Sequence, residues 1–420
     1  MTNIAIKNKN LLFLKIVFFS VCVLVISTHI STSIAGLFHG ILGIIATYSL
    51  FKSKKDILEF LKEGHLSWKI LFLFTTILSI TSFIYFLMPE KTINIADLKK
   101  LRYLIFGLLL IPFINMQFLG FLSRKKLALL LNLTFGSLAL SAIVGLIGRM
   151  INFDIPRWTP HNFEGRLSGF TGSMQFGYES PLFVLMSMVL FLNRKILFEK
   201  FKLNLHFVFI CTLPILLALI TSNTRGGIIA LLGALPFIFI QLKPKLFKMF
   251  LIISPTLLGL IVLLSFFTSQ ESSSIRLLST SKSESNVIRL AVWKKTLESD
   301  FPKAPIFGNG LLAAKTVTFE LRHKEKILNA STRISESTLF QLIADTGIVG
   351  TLLFISFIIS WFVESYKRQD IIGQISMPVI VAFSTGGLVH SMFITGTTTA
   401  VILLSFYLIS QLPLKLNPST

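Results

Sequence analysis

Charge is scarce in this chain. Of its 420 residues only 14% are Asp, Glu, Lys or Arg, where a soluble globular domain carries nearer a quarter, so a water-facing surface of ordinary composition is excluded. Cysteine is scarcer still. Cys22 and Cys211 both fall inside apolar runs, where they read as small buried hydrophobes and imply no disulfide framework. No His, Cys or Asp residues cluster with metal-ligand spacing, and neither a Walker loop nor a dinucleotide fingerprint is present. An ATP-driven pump, a redox carrier and a zinc protease are therefore disfavoured. No acid lies mid-span in a pattern that suggests a proton relay, and His39, His206 and His390 stand isolated, as packed or interfacial residues do.

What the chain has instead is hydrocarbon. Hydrophobic residues make up 53%, phenylalanine alone accounts for 41 positions, and the mean hydropathy is +0.76. Apolar runs of about 20 residues recur along the whole length, the length that a bilayer core of about 30 Å demands of a helix. The expectation is an all-α, polytopic membrane protein forming one domain over residues 1–420. Twelve spans are predicted, near 11–30, 34–51, 69–88, 102–122, 127–148, 178–193, 204–222, 226–241, 246–267, 338–363, 373–391 and 395–413. The first, LLFLKIVFFSVCVLVIST from Leu11, is too long for a signal peptide, lacks a small-residue cleavage site and is read as retained.

The net charge of +21 does not point to nucleic acid, because membrane proteins distribute basic residues by topology. With the N-terminus inside, the connections KSKKD, SRKK, NRKILFEKFK, KPKLFK and ESYKRQD all lie on one side. That side then holds 21 of the 40 Lys and Arg, against 8 in the short connections opposite. The positive-inside rule predicts both termini in the cytoplasm of a multi-pass protein. The other 11 lie in one outside segment, 268–337, about 70 residues long. Segments of that length escape the charge rule and inside compact proteins are functional or disordered. Helical spacing of Val287, Leu290, Val292 with Trp293, and Leu297 predicts a partly helical loop covering the outer face between spans 9 and 10.

Arg225, in TSNTRGGIIALLGAL, is placed at the outer start of the eighth span. An arginine that snorkels at an interface is the plain alternative. Yet the outside is the disfavoured side for a cation, and a helix N-terminus repels one by up to about 1 kcal/mol. Free N–H groups, Gly226 and Gly227 letting a ligand approach the backbone, and a guanidinium fork together suit an anion such as phosphate. In IRLAVWKK, Arg289 and Trp293 share a helix face, the arginine either solvated or functional and the tryptophan a packing anchor. Pro305, Gly308 and Gly310 in KAPIFGNG read as a turn after a helix. In RISESTLFQLIADTGIVG, Ser335 is a candidate N-cap for the tenth span. Glu336 is either a first-turn acid without further role or a general base. His323 and Arg333 share that loop. A second outside loop, 152–177, carries Arg166.

These segments, in this order and spacing, resemble the O-antigen ligase and O-antigen polymerase superfamily of bacterial envelope glycosyltransferases, most sharply from Thr221 to Gly350. TSNTRGG is similar to the family's Thr/Ser-rich segment ending in Arg-Gly. The loop pattern of Arg, Trp, Pro and Gly-x-Gly matches Arg289, Trp293, Pro305, Gly308 and Gly310. GRLSGFTGSMQFG resembles an upstream segment through Arg166, Gly169 and Gly177, with Gly172, Ser173 and Met174 replacing the usual Asn-Pro-Asn. Where ligases carry His-Asn before the TG-x-x-G, this chain has Glu336 and Ser337, which looks more like the polysaccharide polymerases. The resemblance implies transfer of a glycan from an undecaprenyl-diphosphate-linked oligosaccharide to an acceptor glycan at the periplasmic face of the inner membrane, in polysaccharide or lipopolysaccharide biosynthesis. It implies Arg225, Arg289 and Arg166 on the diphosphate, Glu336 as base, and Gly226, Gly227, Arg333 and His323 near the substrate. It implies no metal, no cofactor and no nucleotide sugar. Its implied partners are membrane lipid and a chain-length regulator. A ligase acting on lipid A core or protein, or a transporter of lipid-linked sugars, are the competing expectations.

Overall fold

A backbone in hydrocarbon has to satisfy its own N–H and C=O groups, and within one segment only a helix does so. The apolar runs accordingly form helices. The computed structural model describes residues 2–52, 62, 65–88, 93, 95–150, 170, 173–202, 204–222, 224–243, 245–249, 251–253, 256, 284–311, 317–323, 326–332, 337–389 and 397–411. Its first helices are α1 (Thr2–Ile30), α2 (Thr32–Lys52), α3 (Leu66–Leu87), α4 (Ile95–Phe113) and α5 (Arg124–Met150). There follow α6 (Ser173–Leu192), α7 (Arg194–Phe201), α8 (His206–Thr221) and α9 (Arg225–Ala234), the last extended to Leu242 by short turns. After α10 (Glu284–Lys295) come two strands, β1 (Val317–His323) and β2 (Lys326–Thr332), then α11 (Thr338–Lys367), α12 (Ile371–Val389) and α13 (Thr397–Gln411).

The chain is a helical, polytopic membrane protein. Among the described residues, six helices are long and apolar enough to cross a bilayer, within α1, α2, α3, α5, α11 and α12, rather than the expected twelve. Four more apolar stretches are shorter: Phe176–Leu192, His206–Thr221, Gly226–Leu242 and Val401–Gln411. At 1.5 Å per residue a 16-residue helix covers about 24 Å, less than the hydrocarbon thickness. The expected fourth span is not one α-helix, since α4 passes through a π-turn at Ile114–Phe118 and a 3-10 turn at Leu119–Phe121. The ninth, 246–267, falls largely outside the described residues. The all-α expectation also misses a hairpin. Strands β1 and β2 pair antiparallel from Val317 with Thr332 to His323 with Lys326, inside the segment expected to be partly helical.

Small residues let the helices approach. A Cβ on Gly43 would meet the Phe106 ring at 2.1 Å, and one on Gly107 would meet Leu404 at 2.3 Å, as helix interfaces without a hydrophobic drive require. Phe357 stacks on Trp361 and both meet Tyr407 edge-on inside the bundle, while large apolar side chains such as Ile210 and Phe19 face outward, 70% and 63% exposed. An apolar exterior of this kind suits lipid rather than water. His39 is buried against Tyr103 and Phe106, and His206 is exposed at the start of α8. Cys22 and Cys211 are free.

At one end, the connections that the charge count puts on a common side are tied by polar bonds. The Ser67 N–H donates to Glu364 Oε1 at 2.9 Å, across the start of α3, and the Ser67 hydroxyl bonds Glu364 Oε2 and the Tyr407 hydroxyl. Gln241 Nε2 donates to the carbonyls of Tyr366 and Arg368, and Asn193 Nδ2 donates to Gln374 Oε1. Arg368 forks onto Asp370 and reaches the Ser410 carbonyl. A carboxylate at a helix N-terminus satisfies an orphan donor and the dipole together. We predict that Glu364→Ala lowers stability by about 1–3 kcal/mol, seen as a fall in the melting temperature of the detergent-solubilised protein, while Lys195→Ala, an exposed residue, leaves it unchanged.

Candidate functional site

The helix α11 is broken inside its run. Gly347 has φ +59° and ψ −161°, a conformation that a residue with a Cβ rarely adopts. In an unbroken helix the N–H groups of 348 and 349 would bond the carbonyls of 344 and 345. Here those four groups turn outward to the segment that follows α10. Ile348 N donates to the Pro305 carbonyl at 2.9 Å and Val349 N to the Ile306 carbonyl at 3.1 Å; in return, Asn309 N donates to the Ala344 carbonyl and Gly310 N to the Asp345 carbonyl, both at 2.9 Å. Two helical bonds become four between segments. The Asn309 amide adds bonds to the Ala344 and Asp300 carbonyls, and Leu311 N donates to the Ser82 hydroxyl of α3 at 2.9 Å.

The glycines of this interlock are dictated by contact. A Cβ on Gly308, at φ +74°, would lie 2.3 Å from the Asp345 backbone, and one on Gly347 would lie 2.6 Å from the Ile306 carbonyl. Pro305, Gly308 and Gly310 thus form the expected turn after a helix and also dock it into a gap in α11. Beneath the gap, Gln341 Nε2 donates to Asp345 Oδ1 at 2.9 Å, with both residues buried. Half-burial pushes the neighbouring Asp300 carboxyl up from its ordinary range, against the opposing pull of Lys303 and Lys295.

Arg225 is the first residue of α9, as its sequence context implies, with Thr224 extended before it and Gly227 N bonded to the Thr224 carbonyl. It is placed by its backbone alone. Gly226 and Gly227 have a packing role. A Cβ on Gly226 would lie 2.3 Å from the Tyr178 hydroxyl, and one on Gly227 2.0 Å from the Gly177 carbonyl oxygen. The close approach they permit is that of α6. Gly177 has the matching reason, since its own Cβ would meet Thr224 at 2.2 Å.

Trp293 stacks on Phe340 with ring centroids 4.9 Å apart and planes 12° apart, which makes it the packing anchor of α10 against the first turn of α11. Arg289, half-buried, lies one turn earlier on the same helix. A Cβ on Gly387 of α12 would stand 3.2 Å from the Thr338 hydroxyl, and one on Gly233 of α9 3.5 Å from Thr385. The start of α11 therefore meets the end of α12, while α9 lies against α12 near its own end, at Gly233, and against α6 at its start, at Gly226. His323 closes β1, paired in register with Lys326. Arg166, Arg333 and Glu336 lie outside the described residues, as does Ser335, and Ser337 stands at the N-cap position of α11 instead. Phe170, four residues past Arg166, donates its N–H to the Ser141 hydroxyl at 3.0 Å.

Two buried acids were missed. Glu179 of α6, next to the Tyr178 that packs on Gly226, lies 4.0 Å from His29 Nδ1, with both side chains almost fully covered. Asp345 is the other. An acid inside a span is a signal by itself, and the expectation, which looked only for a mid-span pattern suggesting a proton relay, singled out neither. Among the described residues no three His, Cys, Asp or Glu gather as a metal site.

Residues 208–355 match the family model described as O-Antigen ligase. The match supports the O-antigen ligase and O-antigen polymerase superfamily. The matched segment runs from α8 past the broken part of α11, so it contains Arg225, Arg289, the interlock and the entry to α11. A comparison with curated proteins finds no match. The interlock is testable. Gly308→Ala should cost about 3 kcal/mol or more, from strained φ and backbone overlap, and should open the 304–311 segment to protease in detergent. Phe307→Ala, at an exposed position, should do neither, and wild-type behaviour of both variants would show that the segment is not docked.

Proposed function

We propose that the chain is a polysaccharide polymerase, joining undecaprenyl-diphosphate-linked repeat units at the periplasmic face of the bacterial inner membrane, with both termini in the cytoplasm. The observation that carries this proposal is Glu336-Ser337 at the entry of α11, inside the family-matched segment, where ligases resembling this chain carry His-Asn. Support comes from the order of these residues along the matched segment and from the contact between the start of α11 and the end of α12. Arg225 heads α9, Glu336 stands two residues before Thr338, and Arg289 is one turn from the Trp293 that stacks on Phe340.

In the proposed reaction an acceptor hydroxyl oxygen attacks the anomeric carbon of the donor glycan from the face opposite the diphosphate. The new glycosidic bond forms as the carbon–oxygen bond to the diphosphate breaks. The hydroxyl proton passes to the Glu336 carboxylate, and the lipid diphosphate departs as an anion needing no protonation. Charge accumulates on its phosphate oxygens, so guanidinium groups of Arg225 and Arg289, with Arg166, lower the barrier by holding that charge as it develops. The substrates are two lipid-linked glycans in the membrane, and a chain-length regulator is the expected protein partner. Neither metal nor nucleotide sugar enters the scheme.

A ligase is the second reading, favoured by the description of the matching family, and it differs only in acceptor. Arg225→Ala and Glu336→Gln should each cut long-chain polysaccharide by about 10²-fold, by analogy with lost oxyanion donors, with protein still present in the membrane. Full-length polymer from both variants would overturn the assignment. In a deletion strain, gel analysis of envelope polysaccharide should show lipid A core bearing a single repeat. Bare core would indicate a ligase, and lipid-linked substrate stranded on the cytoplasmic leaflet a transporter.

A further inference from the structure

Between α3 and α4 runs an open groove of about 590 Å³, within the size range of small-ligand sites, lined by Ser79, Ile80 and Phe83 on one side and Leu98, Arg102 and Ile105 on the other. Its walls are almost wholly apolar, and it opens sideways, toward the surface that faces lipid. The exception is Arg102, one turn below Lys99 on the same flank of α4. Lys99, Lys100 and Arg102 together outnumber Asp97, the one acid in those first turns.

This is the difficulty Arg225 posed, repeated. Cations crowd the first turns of a helix, on the side that the charge rule disfavours, and two of them sit three residues apart where like charges repel. Arg102 is also held in place. Its Nη2 donates to the Tyr103 hydroxyl at 2.8 Å, and its guanidinium carbon stands 4.9 Å from the Tyr103 ring centroid. That bond uses one of the five donors of the fork. The hydroxyl in turn is wedged against α2, where a Cβ on Gly36 would come within 2.9 Å. A pinned guanidinium beside an apolar trough suits a molecule with a phosphate head and a long branched hydrocarbon tail.

The groove adjoins the interlock. Ser82, in the same turns of α3 as the lining residues, receives the Leu311 N–H, and a Cβ on Gly310 would meet Ile93 at 2.6 Å and Ser82 Cα at 3.0 Å. We propose that this groove seats the polyprenyl chain of the lipid-diphosphate donor, with Lys99 and Arg102 near its phosphates and the tail lying along Ile80, Phe83 and Ile105. The proposal rests on the donor class of the polymerase reading and adds where that donor enters.

The test is binding of undecaprenyl phosphate to the full-length purified protein in phosphatidylcholine nanodiscs, read by native mass spectrometry against phosphatidylglycerol as competitor. Wild type should retain the prenyl phosphate at least about tenfold better than the phosphatidylglycerol. Ile105→Trp, which fills the trough from an exposed position, and Arg102→Gln should each lower that retention about tenfold. Ile210→Trp, on a distant lipid-facing surface, should leave it unchanged, with melting temperatures confirming that all three fold. Unchanged retention in both groove variants overturns the proposal. So does equal retention of the two lipids, which would make the groove a seam for bulk lipid. Because the readout is binding, its failure is separable from that of the polymerase reading. A chain that binds the prenyl lipid here yet makes no polymer keeps the groove and removes the reaction. One that polymerises with the groove filled and the binding intact does the reverse.

Discussion

A helix buried in a membrane protein cannot stop halfway without something to take up the backbone groups it leaves behind. The break at Gly347 frees two carbonyls and two N–H groups in a buried stretch of α11, where each unsatisfied group costs about 1–3 kcal/mol. The 304–310 segment receives all four. That exchange decides much of what surrounds it. It fixes where α10 can lie, since α10 leads directly into the docked segment, and it pulls Leu311 onto Ser82 of α3. It also forces glycine at 308 and 347, because each backbone passes where the other's Cβ would stand. Irregular backbone inside a helical bundle has to be received by protein or a cavity, and here the receiver lies within the segment that the family model matches.

The two ends of the bundle are built differently. Around Glu364 the contacts are side chain to backbone and side chain to side chain, linking α3, α11 and α13 through Ser67 and Tyr407 and linking α9 to α11 through Gln241. Such bonds hold helix ends in register without demanding unusual backbone. At the opposite end the main ties are between backbones; Arg225 follows directly on an extended Thr224, and Arg289 lies one turn from a stacked Trp293. On the proposed function both arginines would be held by rigid elements for one substrate, and positioning of that kind is what charge stabilisation in a transition state requires.

Much of this was legible in the residues. Hydropathy alone gave a helical membrane protein, because nothing else in hydrocarbon closes its own hydrogen bonds. The positions of KSKKD, NRKILFEKFK and ESYKRQD predicted which helix ends would gather, and those ends are the ones that Ser67, Asn193, Gln241 and Arg368 join. The count of twelve spans was less secure. Hydropathy registers apolar content but not whether a run stays one straight helix, and α4 carries its cations into its own first turns and ends in a π-turn. The β1–β2 hairpin was invisible because VTFELRH and KILNAST show β-branched residues without a strong turn signal between them. The packing role of Gly226 and Gly227 was not legible, for a physical reason. A glycine pair at a helix start permits close approach, and sequence does not say whether a ligand or a neighbouring helix uses it. Glu179 was passed over because a lone acid near a span terminus looks interfacial until His29, from a helix far away in the chain, is found beside it.

The packing of those glycines bears on the electrostatic question. Gly177 and Tyr178 lie against the first turn of α9, and where a neighbouring helix takes up such room an anion has less backbone to line it than in a phosphate-binding loop, where successive N–H groups do so. Guanidinium side chains then have to supply the grip, and a fork reads phosphate oxygens bidentately without touching the sugar beyond them. On the proposed reaction this matters. A polymerase meets donors whose glycan lengthens at every cycle while the diphosphate stays the same, so binding energy spent on the diphosphate serves each cycle equally. Energy spent on a particular sugar would serve only the first. On the two proposals together, arginines at helix ends would hold the diphosphate and the groove along α3 and α4 the hydrocarbon tail, so that the constant part of a growing substrate is what the protein recognises.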